Sequence, residues 1–164
     1  MSSKQNTGNI GLFYACYRLS LYLPDWNVLP TIRNARGADI ILVKDSKKLG
    51  IQVKALSKKN DIHLSYDSYN DSSVDFWIVL MNVRCDKPKA FIIPQKDITD
   101  GMKVCKQGKN SSENLVYHDK NVGKNGKINY WLNIKFVLKS AKYETGEGSW
   151  KSKIEENQED EHGR

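Results

Sequence analysis

Two short apolar runs, Ala38 to Val43 and Gly50 to Leu56, are joined by the polar link KDSKKL. Runs this short, bounded by turn residues, read as strands buried on both faces. The link is long enough for a hairpin turn and little more. Three polar residues interrupt the runs: Asp39 in the first, Gln52 and Lys54 in the second. A polar group inside a buried strand is costly unless something satisfies it. Strand side chains alternate, so Gln52 and Lys54 share a face. With the turn centred near residues 46–47, Asp39 lies opposite Lys54 and within cross-strand reach of Gln52. The stretch from Arg36 to Leu56 therefore demands a sheet with this hairpin near its centre.

The flanking sequence supplies the rest of an α/β layer architecture. Residues 8–23 read as a helix, with Leu12, Cys16, Leu19 and Leu23 on one face and Phe13 and Tyr17 widening it. Thr7 or Asn9 is the expected cap, and Pro24-Asp25 the stop. Trp26 to Ile32 is a short strand with Pro30 marking an edge or bulge. Residues 57–74 are polar and Ser-rich, so a loop is expected, with at most a turn or two of helix around 65–72. Asp75 to Val83 and Lys89 to Ile93 form a second, strongly apolar hairpin. Additions follow: a helix from Pro94 to Val104, short strands at Asn114 to Tyr117 and Lys127 to Leu132, and a helix capped by Asn133 through Lys142. Trp150 is expected to dock on the body. The chain thus reads as one domain over 1–154, with a core at about 8–94, additions over 95–154, and a disordered acidic tail at 155–164.

Charge narrows the class of partner. The net charge is +7, but the last ten residues hold five acids and one Arg. Residues 1–154 then carry 25 basic and 14 acidic side chains, a net +11. A body this basic points to a polyanion, nucleic acid first. The three cysteines, Cys16, Cys85 and Cys105, form no CxxC pair, which argues against a zinc knuckle or disulfide framework. The opening MSSKQNTGN has no signal-peptide pattern, and Arg18 breaks the longest apolar stretch. A soluble, cytoplasmic protein with no membrane partner is the expectation.

The hairpin brings chemistry with it. The Asp39 carboxylate, the Gln52 amide oxygen and the Val53 backbone carbonyl make three oxygen ligands, a set suited to Mg²⁺ or Mn²⁺. Lys54 is then placed to orient a water. Metal and water together equip a site for phosphodiester hydrolysis. Arg33, Asn34 and Arg36 precede the site on a basic loop, and Lys58 and Lys59 follow it; all five are candidate phosphate contacts. His63 is a candidate proton-transfer group, and Asp75 reads as a turn or cap residue.

Several stretches in order carry a family resemblance: Gly8-Asn9-Ile10-Gly11 opening a helix, Trp26-Asn27-Val28, Gly37-Ala38-Asp39, and Ile51-Gln52-Val53-Lys54. Together they resemble the PD-(D/E)XK nuclease superfamily, the restriction-endonuclease-like proteins. The QxK form is similar to that of Mrr-like and Holliday-junction-resolvase-like members. The resemblance implies an αβββ-crossover-ββ core around a mixed central sheet. It further implies a metal-dependent nuclease acting on DNA, with Asp39 and Gln52 as metal ligands and Lys54 as the catalytic lysine. Small nucleases of this type often act as homodimers, because cutting two strands needs two sites. Many members also carry a metal-binding Glu on the first helix. This chain has no acid between Gly8 and Leu23; Asn9 is the nearest polar substitute. Two alternatives follow from that departure: a catalytically inactive nucleic-acid-binding module of the same fold, or a small protein-interaction factor from a defence or mobile-element system.

Overall fold

The computed structural model describes residues 2–31, 37–111, 113–122, 126–146 and 149–162. A five-stranded mixed sheet carries the molecule. Its strands are β1 (Asn27–Pro30), β2 (Ile40–Lys44), β3 (Lys47–Leu56), β5 (Phe76–Met81) and β6 (Lys89–Pro94), in the order β1-β2-β3-β5-β6. Neighbours run antiparallel except β3 and β5, which are parallel. A parallel pair needs a long crossover, and here residues 57–75 provide it. That crossover holds β4 (Ile62–Leu64) and the single turn α2 (Tyr66–Tyr69). β4 belongs to a second sheet, in the order β4-β8-β7, with β7 at Val116–Val122 and β8 at Ile128–Leu132.

The central hairpin is tighter than the turn residues predict. Lys44 pairs with Lys47, leaving a two-residue turn at Asp45-Ser46, where Asp45 takes φ 51°. Asp is among the few non-glycine residues that enter this region readily. Ile40 pairs with Ile51, and the Asp39 N–H donates to the Ile51 carbonyl at 2.8 Å. Asp39 is therefore level with Gln52, not with Lys54 as a turn at 46–47 predicts. Lys47 and Lys48 belong to β3, at its exposed end.

The first helix, α1 (Ser3–Tyr22), starts five residues before the predicted Gly8. Ser2 and Gln5 form a capping box: the Ser2 hydroxyl accepts from Gln5 N–H at 3.2 Å, and Gln5 Oε1 accepts from Ser2 N–H at 3.1 Å. Thr7 lies inside the helix, its hydroxyl donating to the Ser3 carbonyl. The buried stripe is Thr7, Gly11, Ala15 and Leu19, while Leu12 and Cys16 are only half-buried. Small residues set that stripe. A methyl on Gly11 would stand 2.2 Å from Ala55 Cβ, so α1 lies almost on the backbone of β3. Phe13 and Tyr17, expected to widen the buried face, are 67% and 61% exposed.

Two cores sandwich the main sheet. One joins α1, the α1-facing side of β3 and β5, and α5 (Ser149–His162). Trp150 and Ile154, one turn apart on α5, are buried there, and the helix continues to His162 where the tail was predicted to be disordered. A Lys151–Glu155 ion pair at 4.0 Å lies along this acidic helix. The other core contains Trp77, Val79, Phe91 and Ile93 beneath α3 (Gln95–Lys106), α4 (Ile134–Lys139) and the small sheet. Phe76 and Trp77 take opposite faces, one in each core. Asn133 caps α4 by accepting from Phe136 N–H at 3.3 Å, though the helix stops at Lys139, short of Lys142. No helix among the described residues is long and apolar enough to cross a membrane.

Asp61 ties the small sheet to the second core. Its Oδ1 accepts from Ile134 N–H at 2.8 Å, and its Oδ2 accepts from the Tyr117 hydroxyl. Burial and the Asp61 carboxylate push the Tyr117 phenol up to about 12. Asp61→Ala strands both donors, which costs about 2–3 kcal/mol. Urea denaturation should show a lowered midpoint with an unchanged slope, and the Tyr117 titration should fall toward that of an ordinary tyrosine.

Candidate active-site cleft

β2 begins at Ile40, opposite Ile51, so from Gln52 onward the β2 flank of β3 has no paired strand among the described residues. Backbone groups on such a flank need partners. Asp39 supplies one. Its Oδ2 accepts from the Val53 N–H at 2.7 Å and also from Gln52 Nε2. The Asp39 backbone is itself fixed on both sides, by Ile51 and by Thr31 N–H, which donates to the Asp39 carbonyl at 2.9 Å. Gly37, at φ 107°, makes the turn that delivers Asp39 to this position.

The carboxylate opens into a cleft of about 700 Å³. One wall is the first half of α1, with Gly8, Asn9 and Leu12. Thr31, Gly37, Asp39, Gln52 and Val53 form the floor. The opposite wall is α2 and the residues after it, including Tyr66, Asp67 and Asp71. Leu12 lines the helix wall of the cleft, and Asn9 is beside it. Burial pushes the Asp39 carboxyl above its usual value; the Val53 N–H and the Lys54 charge pull the other way without cancelling the shift.

Asp39, Gln52, Val53 and Asn9 thus meet in one cleft. Lys54 stands apart: its ammonium lies 5.6 Å from the centre of the Trp77 ring, a cation–π contact, and makes no ion pair among the described residues. Gln52 holds Asp39 by donating from its amide nitrogen to Oδ2, a contact that leaves its amide oxygen for the predicted ligand role. Lys58 and Lys59 are exposed just past the end of β3. Arg33, Asn34 and Arg36 lie outside the described residues; Thr31 and Gly37, on either side of that segment, line the cleft. His63 is exposed on β4 and takes no part in this cleft, contacting Trp131 and Asn129. Asp75 is structural, but as a tie to β3 and not as a turn or cap residue: its carboxylate accepts from Gly50 N–H at 2.7 Å.

Asp67 and Asp71 are the side chains that the sequence motifs do not single out. Both belong to the stretch 65–72, but Asp71 lies beyond the single turn α2, so no helical spacing in the sequence signals that they share a wall. Among the described residues no three His, Cys, Asp or Glu side chains gather into a ready-made metal cluster. The donors that do line the cleft are carboxylate, amide, hydroxyl and carbonyl oxygens, with neither thiolate nor imidazole among the lining residues. A strand residue turns its N–H and C=O to the same flank, so the Val53 carbonyl faces the side from which Asp39 approaches. Among the described residues no donor reaches Asp39 Oδ1. In chemistry this set fits a hard, oxygen-seeking divalent ion. Compared with protein-family models, with curated proteins and with solved structures, the chain gives no match.

Proposed function

We propose that this protein is a metal-dependent nuclease that hydrolyses DNA phosphodiester bonds on a restriction-endonuclease-like core. The observation that carries the reading is Asp39 clasped to the Val53 N–H on the open flank of β3, with Lys54 one residue further on. Support for such a core comes from the order of elements, a helix, three strands, a crossover and two strands, on a mixed sheet. The basic body supplies the electrostatic attraction for DNA.

In this reading Asp39 Oδ1 and the Val53 carbonyl would hold Mg²⁺ or Mn²⁺, which when bound supplies charge neutralisation at the scissile phosphate. Gln52 fixes the orientation of the Asp39 carboxylate. Asp67 and Asp71, on the facing wall, add negative charge that favours a cation in the cleft. Lys54 holds the attacking water or a phosphate oxygen once it leaves the face of Trp77. Lys58 and Lys59, with Arg33, Asn34 and Arg36, grip the flanking backbone. Cleavage of both strands calls for a homodimer.

The same fold as a DNA-binding module without catalysis is favoured by one observation, the Lys54 ammonium resting on Trp77. Incubation of supercoiled plasmid and branched DNA with Mg²⁺, Mn²⁺ or EDTA separates the two. The nuclease reading expects nicking with either metal, none in EDTA, and a loss of roughly 10²-fold or more in Lys54→Ala. Salt-dependent DNA retention with no cleavage in any metal selects the binding module instead.

A further inference from the structure

A second cleft of about 700 Å³ adjoins the first, and the two share a single wall residue, Tyr66. Its other walls come from β4, β8 and the end of α3. Three tyrosines dominate it. The Tyr66 ring, 67% exposed, packs edge-on against Tyr69 at 5.5 Å, and Tyr69 meets Tyr130 at 6.5 Å. Lys106 bridges the latter pair: its ammonium is 5.1 Å from the Tyr69 ring centre, 5.7 Å from that of Tyr130, and 3.2 Å from the Tyr69 hydroxyl. Lys127 brings a second exposed cation to the lining, and Ile128, half-exposed, lies beside it. His63 and Asn129 contribute polar edges, 3.3 Å apart.

The lining is therefore aromatic faces and ammonium groups, with no carboxylate among its residues. An aromatic face matched with a cation is the chemistry of a nucleotide: the base stacks and the phosphate pairs. Inside a duplex the bases already stack on one another, and their faces are closed to protein. The occupant of this cleft must then be an unpaired nucleotide. The size is also right, since sites for small molecules hold about 300–1,000 Å³.

We infer that the second cleft binds an unpaired nucleotide of a single-stranded segment lying next to the scissile phosphate. This rests on the nuclease reading for the phosphate, and it names the substrate class as DNA with a single-stranded portion: a flap, a gap or a branch. Tyr66 is the divider. One of its faces bounds the cleft of Asp39, and the other receives the first unstacked base. Strand continuity across Tyr66 then sets which phosphate reaches Asp39.

The test reads binding apart from catalysis. Fluorescence anisotropy in EDTA compares a labelled oligothymidine with a duplex of equal length, for the wild type, Tyr66→Ala and Tyr66→Phe. Wild type is expected to prefer the single strand. Tyr66→Ala should lower the ratio of single-strand to duplex affinity about tenfold, the loss of one stacked base. Tyr66→Phe, which keeps the ring and loses only the hydroxyl accepting from Asn70, should retain the preference. An unchanged ratio in Tyr66→Ala, or an equal loss in Tyr66→Phe, overturns the inference. A parallel incubation of flapped DNA with Mn²⁺ separates the two readings. Binding that follows this pattern without cleavage keeps the cleft and removes the nuclease; cleavage with no single-strand preference keeps the nuclease and removes the cleft.

Discussion

Gly50→Ala is expected to lower the melting temperature by about 10 °C, one of the largest losses from a single methyl in this chain. Gly50 lies in β3, paired with Ile41, directly under the returning end of the crossover. A methyl there would stand 1.7 Å from the Ser73 carbonyl oxygen and 2.9 Å from its carbon. Both obstacles are backbone, so no side-chain rotation relieves them. The crossover is also tied down at this point. The Asp75 N–H donates to the Gly50 carbonyl at 2.8 Å, and the Asp75 carboxylate accepts from the Gly50 N–H. Relief therefore means lifting residues 73–75 and breaking that pair of bonds. Overpacking costs about 1–3 kcal/mol and each lost hydrogen bond about 1 kcal/mol, giving roughly 3–5 kcal/mol in all. The displacement would also carry Asp71 and the wall of the candidate cleft away from Asp39. Thermal melts followed by circular dichroism measure the effect; a melting temperature within 2 °C of wild type (about 1 kcal/mol or less) would show that the crossover yields at little cost.

The central hairpin and the second hairpin are legible because apolar runs between turn residues have few alternatives. The register is less so. Lys47 and Lys48 resemble turn residues by composition, yet they pair with Lys44 and Val43 at the solvent end of β3. Counting them as turn moved Asp39 two residues along its partner. The proximity of Asp39 to Gln52 survives that error because both remain on one face. The place of Lys54 does not, since the contact with Trp77 comes from β5, brought alongside by the parallel pairing.

Other elements were hidden for distinct physical reasons. β4 is three residues long, and its stability comes from pairing with β8, almost seventy residues away. No local pattern reports such a pairing. The packing face of α1 is set by glycine and alanine, which carry little hydrophobic signal but permit the closest approach to β3. The C-terminal helix is acidic enough to read as disordered, and only Trp150 and Ile154, four residues apart, mark its buried side. Its order comes from docking and not from composition.

If the proposed nuclease reading holds, Asp39→Asn is expected to abolish cleavage; on either reading it is expected to make the folded protein more stable at neutral pH. The carboxylate is the anionic group on the floor of the cleft, and its loss should reduce turnover by roughly 10²–10³-fold or more. Stability runs the other way. Burial raises the Asp39 carboxyl above its usual value of 3.8, despite the Val53 N–H and the charge of Lys54. The folded chain therefore holds the proton to higher pH than the unfolded chain does. The stability that Asp39 contributes is full below the unfolded value and is lost as pH rises through the raised folded value. At neutral pH the ionised carboxylate is a cost carried by the fold. Asparagine is neutral throughout and keeps an oxygen to accept from Val53 N–H. At neutral pH its melting temperature should exceed that of wild type. The two curves should converge as pH falls below 3.8, where Asp39 is protonated in both states. Melts of both proteins across that range provide the measurement. An asparagine variant less stable by the same margin at every pH would assign Asp39 to holding β3, not to a charged site kept at the expense of the fold.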